Sequence, residues 1–411
     1  MVTIHPVVDE GLGNSAYVVE LGDGRDLVVD PARDPTPYLE LARGRRLQVA
    51  YAAETHLHAD FLTGTRELAA ADGAQILAPG ASRLGFAHRG LEDGEEVDLG
   101  GLTLRALATP GHAPEHVSYL LLDGGRPLAL FSGGALLVGT VARTDLASPE
   151  LTEPLARAAY RSLHQRLLPL PDELAVYPTH GAGSFCAAPV GGQRTTTIGA
   201  ERRHNRLLAA PDEDTFVIEL LASFGSYPPY FLRLRDRNRV GPELLSADWR
   251  ILPLLSTDQV QQHLAGGGVL VDARPVGAFA AGHIPGALSI ALRPAFASWL
   301  GWLLDDTNRW SSSWTRTRTV GSWPASAAPS ATTTWPASWP AGWPPGGRPV
   351  SPRPSSRSWR PSSSATSPAL SWMSARPARS PRATFPARSP SSWAPSPATG
   401  CLRSCPRGRL R

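Results

Sequence analysis

Two histidines and an aspartate, His56, His58 and Asp60, follow directly on a strand-like apolar segment at residues 47–53. In an H-x-H pair on a loop, both imidazole rings can turn to one side and share one metal ion, and a carboxylate two residues on can serve a second ion or orient a water. A rigid sheet that ends in polar loops is the usual support for such chemistry. The run therefore predicts an α/β protein with a metal site at the edge of a sheet.

Two further histidines stand in comparable places. His112 ends the run TPGH after a predicted strand at residues 102–108, and His180 lies in YPTHG, again after a strand. A single histidine near a strand end is more often an ordinary surface or core residue. Imidazole nitrogens nevertheless suit Zn, Fe, Ni or Cu, and three of them plus an open position describe a catalytic site. The set predicted to bind metal is His56, His58, Asp60, His112 and His180.

Other candidates carry less weight. His116 either supports the ligands or is an ordinary exposed histidine, and both interpretations stay open at this point. Cys186 is interpreted as a buried structural thiol, with a role beside a substrate sulfur as the alternative. The remaining histidines outside any motif are interpreted as structural or solvated: His5, His88, His164 and His204.

The charge is divided unevenly along the chain. The formal net charge is +4, yet all 36 acidic residues lie before residue 307, while 15 of the 40 basic residues, all arginines, lie from residue 309 onwards. The acidic front part gives no reason to expect nucleic acid or an anionic membrane as a partner. Three cysteines make no disulfide framework, which favours a reducing compartment.

The start of the chain lacks the pattern of a signal peptide, and no apolar run reaches the ~20 residues that span a bilayer. We therefore predict a soluble, cytoplasmic protein. Whether copies of the chain form a homo-oligomer is left open.

A second α/β unit is predicted over residues 252–304. It begins with a short helix at 257–264, continues with a buried strand at 269–274 and a GHIPGA turn at 282–287, and follows a linker at 236–251.

The composition then changes over residues 305–411, which are rich in Ser, Pro and Arg and hold nine of the twelve tryptophans. Disordered segments are enriched in Pro and Ser but poor in aromatic residues, so this tail resembles neither a fold nor a typical linker. We predict that it is disordered, and our hypothesis is a frameshifted translation of a GC-rich gene. A genuine arginine-rich disordered arm is the alternative. The hypothesis fails if neither other reading frame past codon ~305 encodes a globular α/β sequence.

The motifs THLHAD, TPGH, FSG, ARTDL and YPTHG together resemble the metallo-β-lactamase superfamily, in particular its glyoxalase II and persulfide dioxygenase branch. The resemblance covers residues 1–235 and implies an αββα sandwich with the metal at one edge of two sheets. It implies sulfur chemistry on a small thiol-derived substrate, either a persulfide or a glutathione thioester. Arg143 matches the R-x-D element of that branch, and the resemblance implies that it contacts the substrate.

Two departures from the family pattern bear on the metal. The family continues H-x-H-x-D-H where this chain has Phe61, and it has an aspartate after F-[ST]-G where this chain has Gly134. A two-metal hydrolytic centre is therefore not expected. We expect one divalent metal, Fe or Zn, held by His56, His58 and His112, weakly bound or even absent. Asp60 and His180 are the predicted catalytic residues, which would orient or protonate the substrate.

The second unit is similar to the first half of a rhodanese domain, on the run VDARP and the GHIPGA turn. The resemblance implies that Asp272 and Arg274 buttress the fold. Rhodanese chemistry needs a cysteine a few tens of residues beyond that turn. No cysteine stands there, and Cys405 lies far too late. The unit is thus predicted to be truncated and inactive.

Three functions follow as alternatives: a persulfide dioxygenase-like enzyme, a hydroxyacylglutathione hydrolase-like thioesterase, and a metal-poor module that binds persulfides or thiols without catalysis. The first is preferred.

Overall fold

The protein is described by a computed structural model, in which residues 2–187, 192–247, 249–250 and 255–304 are placed. The predicted disordered tail, with Cys401 and Cys405, lies outside these residues.

The first half of the chain builds a six-stranded sheet in which spatial order follows chain order. The first three strands pair antiparallel, and the third to sixth run parallel to one another. The strands are β1 (Thr3–Asp9), β2 (Asn14–Glu20), β3 (Arg25–Val29), β4 (Gln48–Ala53), β5 (Gln75–Pro79) and β6 (Arg89–Leu91).

A second six-stranded sheet follows, again with neighbours in chain order. All its pairs are antiparallel except that of the fourth and fifth strands. Its strands are β7 (Glu96–Asp98), β8 (Leu102–Ala108), β9 (Val117–Asp123), β10 (Arg126–Gly133), β11 (Ala175–Pro178) and β12 (Thr196–Thr197).

Helices cover the outer face of each sheet. Successive side chains of a strand point to opposite faces, so Tyr17 in β2 packs against the second sheet while its neighbour Val18 packs against the first helices. The helices are α1 (Thr36–Gly44) and α2 (Thr65–Asp72) on the first sheet, α3 (Thr152–Ser162), α4 (Ile198–His204) and α5 (Glu213–Ala222) on the second, and then α6 (Phe231–Val240). Three apolar layers result, and the predicted αββα sandwich is confirmed.

Helix α2 begins at Thr65, and the amide of Thr63 just before it donates to the side chain of Asn238. Helix α6 runs through the predicted domain end at residue 235. The domain bounds themselves stay a prediction.

The predicted linker is tied to the first domain. Its Leu245 amide donates to the buried Glu67 carboxylate at 2.9 Å, and the carbonyls of Pro242 and Glu243 accept from Arg66 and Arg33. We call residues 241–247 the strap.

The second unit forms a small β-α-β arrangement. It contains α7 (Thr257–Ala265), β13 (Val271–Asp272), α8 (Val276–Ala281), β14 (Leu288–Ser289) and α9 (Phe296–Leu303), with β13 and β14 parallel. The strand predicted at 269–274 is shorter than expected, because its only partner among the described residues is the two-residue β14. Asp272 does buttress the turn: it pairs with Arg274, which also donates to the Gly282 carbonyl.

Among the residues that the structure describes, no helix has the length and apolar character needed to cross a bilayer.

Candidate metal centre

Three loops meet at one edge of the two sheets. The His56 loop follows β4, the His112 loop follows β8, and the His180 loop follows β11. An isolated antiparallel bridge between Asn14 and His180 joins the first sheet to the second at this point. The structure thus brings all five predicted metal ligands into one buried cluster, none more than 3% exposed.

Within the cluster, three histidines face one another. His56, His112 and His180 each offer a nitrogen, and these atoms lie within 4.8 Å of one another. The ring centroids are 4.7 Å apart for His56 and His112, and 5.0 Å apart for His112 and His180. Such a spacing suits one metal ion bound by three imidazoles.

The hydrogen bonds around these rings fix which nitrogen carries the proton. The Arg143 carbonyl can only accept, so His112 Nδ1 donates to it at 2.6 Å. The Thr55 hydroxyl gives its proton to Asp30 at 2.7 Å and so accepts from His56 Nδ1 at 2.8 Å. Both rings therefore keep the Nε2 lone pair free for a cation.

Hydrogen bonds also fix the proton position on the third ring, that of His180. The amide of Asn14 donates to Asp60 Oδ2 at 2.7 Å, so its oxygen faces His180 Nδ1 at 3.0 Å. The unprotonated Nε2 atoms of His56 and His180 then lie 3.4 Å apart. Two lone pairs this close are unfavourable without a shared cation between them.

Burial keeps the His56 and His112 rings neutral. It lowers the pKa of His56 well below its ordinary value, an effect increased by the charge of His58, and it lowers the pKa of His112 in the same direction. A neutral imidazole is the form that binds a metal.

His58 has a different environment. Its Nε2 lies 3.2 Å from Asp30 and 3.1 Å from Glu54. Burial disfavours its charge, but Asp30 and Glu54 together outweigh burial and raise the pKa of His58 to about 10. Among the described residues, its buried Nδ1 has no hydrogen-bond partner. A metal ion at Nδ1 would supply the positive charge that the two carboxylates favour.

Asp60 stays ionised. Burial disfavours its charge, but His180 and His58 outweigh burial and lower its pKa. In the described part of the chain, Oδ1 of Asp60 is buried without a hydrogen-bond partner. His58, Asp60 and His180 form a second group of donor atoms within 4.8 Å of one another. The unpartnered atoms and the imidazole-rich donor set fit a metal such as iron or zinc.

Gly134 stands where the family has a carboxylate. The neighbouring side chains leave no room for a larger residue at this position. A Cβ atom there would lie 2.3 Å from Cδ2 of His112. The Gly134 amide donates to Nε2 of His116 at 2.9 Å. His116 is 1% exposed and stacks on the His56 ring, so the interpretation of His116 as an exposed histidine is wrong.

Phe61 stands at the second position that differs from the family pattern, where the family has a histidine. Its ring stacks on His58 with centroids 4.1 Å apart. An apolar ring thus fills the space beside the ligand loop.

Arg143 is largely engaged within the protein. It is 4% exposed, donates to both oxygens of Asp145 at 2.7 and 2.8 Å, and lies over the Tyr227 ring at 4.4 Å. Cys186 is buried nearby, and burial raises the pKa of its thiol.

Sequence reasoning missed three polar residues that complete the cluster. Asp30 and Glu54 end β3 and β4 and hold His58, while Asn14 begins β2 and joins Asp60 to His180. The sequence could have predicted Asp30 and Glu54 as site residues, because each is an acidic residue directly after an apolar strand.

The fold and the cluster together define a class: two packed sheets with outer helices that present histidines and carboxylates at one edge. Family models agree with this description. The model of the metallo-beta-lactamase superfamily matches residues 9–180, and that of the rhodanese-like domain matches residues 256–320.

Curated relatives point the same way. The human mitochondrial persulfide dioxygenase ETHE1 is 32% identical over 187 residues, which are 44% of this chain and 68% of the relative. A hydroxyacylglutathione hydrolase of Methylobacillus flagellatus is 37% identical over 159 residues, which are 38% of this chain and 58% of the relative.

Solved structures extend the likeness. A metallo-beta-lactamase from Staphylococcus aureus has a TM-score of 0.67 at 29% identity, covering 74% of this chain and 89% of its own. ETHE1 from Myxococcus xanthus has a TM-score of 0.50 at 27% identity, covering 58% of this chain and 98% of its own. The chain belongs to the metallo-β-lactamase superfamily and carries a rhodanese-like domain after its first domain.

Proposed function

We propose that the chain is a metal-dependent enzyme of sulfane-sulfur metabolism that acts on a persulfide of a small thiol. The observation that carries this proposal is the convergence of the unprotonated nitrogens of His56, His112 and His180. His180 takes the place of the missing carboxylate as third ligand, and His58 and Asp60 flank the ion. The metal is Fe or Zn. Once bound, it supplies Lewis-acid activation of water or, as iron, redox chemistry with dioxygen.

The chain's own residues have definite roles in this proposal. Ionised Asp60 accepts a hydrogen bond through its free Oδ1 and so orients a water or thiol. His180 binds the ion rather than transferring a proton, which changes the role that the motif alone suggested.

A small thiol substrate has a place to bind beside the ligand loop. A groove of about 460 Å³ is lined by Leu57, which separates the two loop histidines, and by Arg83 and Arg239. The Arg83 guanidinium suits a carboxylate of a thiol peptide, while that of Arg239 pairs with Asp236 at 2.6 Å. Direct contact between Arg143 and substrate stays a prediction, and the Arg143 guanidinium pairs with Asp145.

The second candidate function is thioester hydrolysis. The relatives named hydroxyacylglutathione hydrolase favour it, with 37% identity in one case. The third is a thiol-binding module with little metal, favoured by Gly134. We also propose a cytoplasmic location, which cell fractionation tests.

The purified full chain decides among these functions. Elemental analysis near one iron per chain, with oxygen uptake on glutathione persulfide, supports the dioxygenase. Zinc with turnover of a glutathione thioester supports the hydrolase instead. No bound metal, and no gain on adding Fe or Zn, excludes both enzymes.

A pair of histidine variants supplies the control. His56→Ala should abolish metal binding. His204→Ala, at the exposed end of α4, should leave it unchanged. Equal metal content in both variants would exclude the proposed site.

A further inference from the structure

Helix α6 lies outside residues 9–180, the segment that matches the metallo-beta-lactamase family model. It nevertheless binds the loop that carries His56, His58 and Asp60. Its Asn238 is 2% exposed and reaches back across about 180 residues of chain. Its Nδ2 donates to the His58 carbonyl at 2.8 Å and to the Phe61 carbonyl at 2.9 Å. Its Oδ1 accepts from the Thr63 amide at 3.0 Å. All three hydrogen bonds of one amide thus fall on the backbone of residues 58–63.

Neighbouring residues of α6 bind the same loop. Arg235 pairs with the buried carboxylate of Glu115 at 3.0 Å, and Glu115 accepts from the Leu57 amide at 3.0 Å. The Tyr230 hydroxyl reaches the Asp60 carbonyl at 3.5 Å. Helix α6 and the residue before it therefore hold the loop between and after its metal-ligand residues, in part through Glu115.

Other backbone contacts of the loop lie at its two ends, where Val117 donates to the Thr55 carbonyl at 2.9 Å and an isolated bridge joins Thr63 to Ala32. The loop carries no regular strand or helix between the end of β4 and the start of α2. The direction of each ligand side chain depends on the backbone, so an unpaired carbonyl at His58 would let that ring and Asp60 turn. Supporting contacts of ligands typically change metal affinity by about 10–100-fold.

We infer that Asn238 is a positioning residue for the metal centre. It fixes the backbone of the His58–Asp60 turn, so that one donor atom each of His58, Asp60 and His180 lie within 4.8 Å of one another. The inference rests on the proposed function in one respect, namely that these residues bind a metal.

The chain offers a closely matched control in Asn205. It is also 2% exposed, donates twice, to the Thr140 carbonyl at 3.0 Å and to Glu201 at 2.9 Å, and accepts once, from the Leu207 amide at 3.2 Å. Asn238→Ala and Asn205→Ala each remove three hydrogen bonds from a buried amide. Their losses of stability should be similar, but only one loses contact with the ligand loop.

The experiment titrates Co²⁺ into the metal-free full chain and follows the visible absorption of the bound ion. We expect Asn238→Ala to weaken Co²⁺ binding about 10–100-fold and to shift the absorption bands, because the ligand geometry changes. Asn205→Ala should bind Co²⁺ as the wild type does. Equal affinities and spectra in the two variants would overturn the inference, as would equal losses in both.

A second variant and a second measurement cover the cases in which the first experiment cannot be read. If Asn238→Ala fails to fold, Asn238→Asp retains the acceptor for Thr63 and the size of the side chain, and loses the two donated bonds. The same two outcomes then apply to it. If the wild type itself binds no Co²⁺, the proposed function fails instead. The inference is then tested by hydrogen exchange, because Asn238→Ala should speed exchange of the Thr63 amide and Asn205→Ala should not.

Discussion

At the scale of single residues, the absence of a side chain at Gly134 shapes the candidate metal site as much as the histidines do. The carboxylate that the family carries at position 134 cannot be restored by simple substitution, because the His112 ring occupies the space that a Cβ would need. Gly134 packs directly against the ring of His112, and its amide donates to the ring of His116. The departure from the family pattern is accordingly accommodated by the surrounding residues.

Gly134→Asp should lower both stability and metal affinity rather than create a second metal site. The clash with His112 is an overpacking effect of about 1–3 kcal/mol, and displacing that ligand should weaken zinc binding. Denaturant unfolding and zinc competition measure the two effects. Gly225→Asp, where a Cβ meets nothing within 4 Å, is the control. Two bound zinc ions with unchanged stability would contradict the prediction.

Asp26 in β3 gives a second prediction at this scale. It is fully buried, and neither carboxylate oxygen has a hydrogen-bond partner in the described part of the chain. Burial, helped by the charge of Glu20, raises the pKa of Asp26 to about 6 from 3.8. The folded state thus binds a proton more tightly than the unfolded state, so this group costs stability as the pH rises from about 4 to 6.

Asp26→Asn should therefore stabilise the fold at pH 8 by about 2 kcal/mol, and the gain should vanish near pH 4. Urea unfolding at both pH values measures it. Asp123→Asn, which changes an exposed carboxylate, should show no such pH-dependent gain. A gain that is the same at pH 4 and pH 8 would refute the role of ionisation.

At the scale of elements, helix α6 and the strap, which follow the second sheet, both bind residues of the first domain. Helix α6 binds the ligand loop, and the strap continues along α2 and the loop before α1. The sequence predicted a linker at residues 236–251. The strap within it is held by Arg33, Arg66 and Glu67 of the first domain.

Glu67→Ala should release the strap. Glu67 accepts from the Leu245 amide and lies 3.9 Å from the buried Arg33, so its loss leaves two polar groups without this partner. We expect a loss of about 1–3 kcal/mol and faster proteolysis within residues 241–247. Glu40→Ala, on the exposed face of α1, serves as the control. Unchanged protection of the Leu245 amide would count against this account.

At the scale of the whole molecule, a metal ion would join parts of the chain that are far apart in sequence. His56, His112 and His180 come from three loops and both sheets, so an ion held by them cross-links the sandwich. A ligand that binds only the folded state stabilises it by about 2.7 kcal/mol at 100 times its Kd.

Removing metal with a chelator should accordingly lower the melting temperature by about 5–10 °C, and adding zinc back should restore it. Differential scanning calorimetry follows the change. His180→Ala should melt at one temperature with or without zinc, whereas His204→Ala should respond as the wild type does. A zinc response that survives in His180→Ala would remove this histidine from the ligand set.

The sequence by itself determined the fold class and the identity of the candidate ligands. Strand and ligand motifs are local, because a strand end and the loop after it occupy neighbouring residues. Hence β8 was predicted at its observed bounds, and five ligand-type residues were found without coordinates.

Only the tertiary structure decided how those residues are arranged. Which nitrogen of His180 faces the cluster depends on Asn14, 166 residues away, and the shape of the ligand loop depends on Asn238. It also showed that His112 lies with His56 and His180, and that His58 is held by Asp30 and Glu54. Hydrogen bonds between distant segments leave no periodic pattern in a sequence, so folding alone brings these partners together.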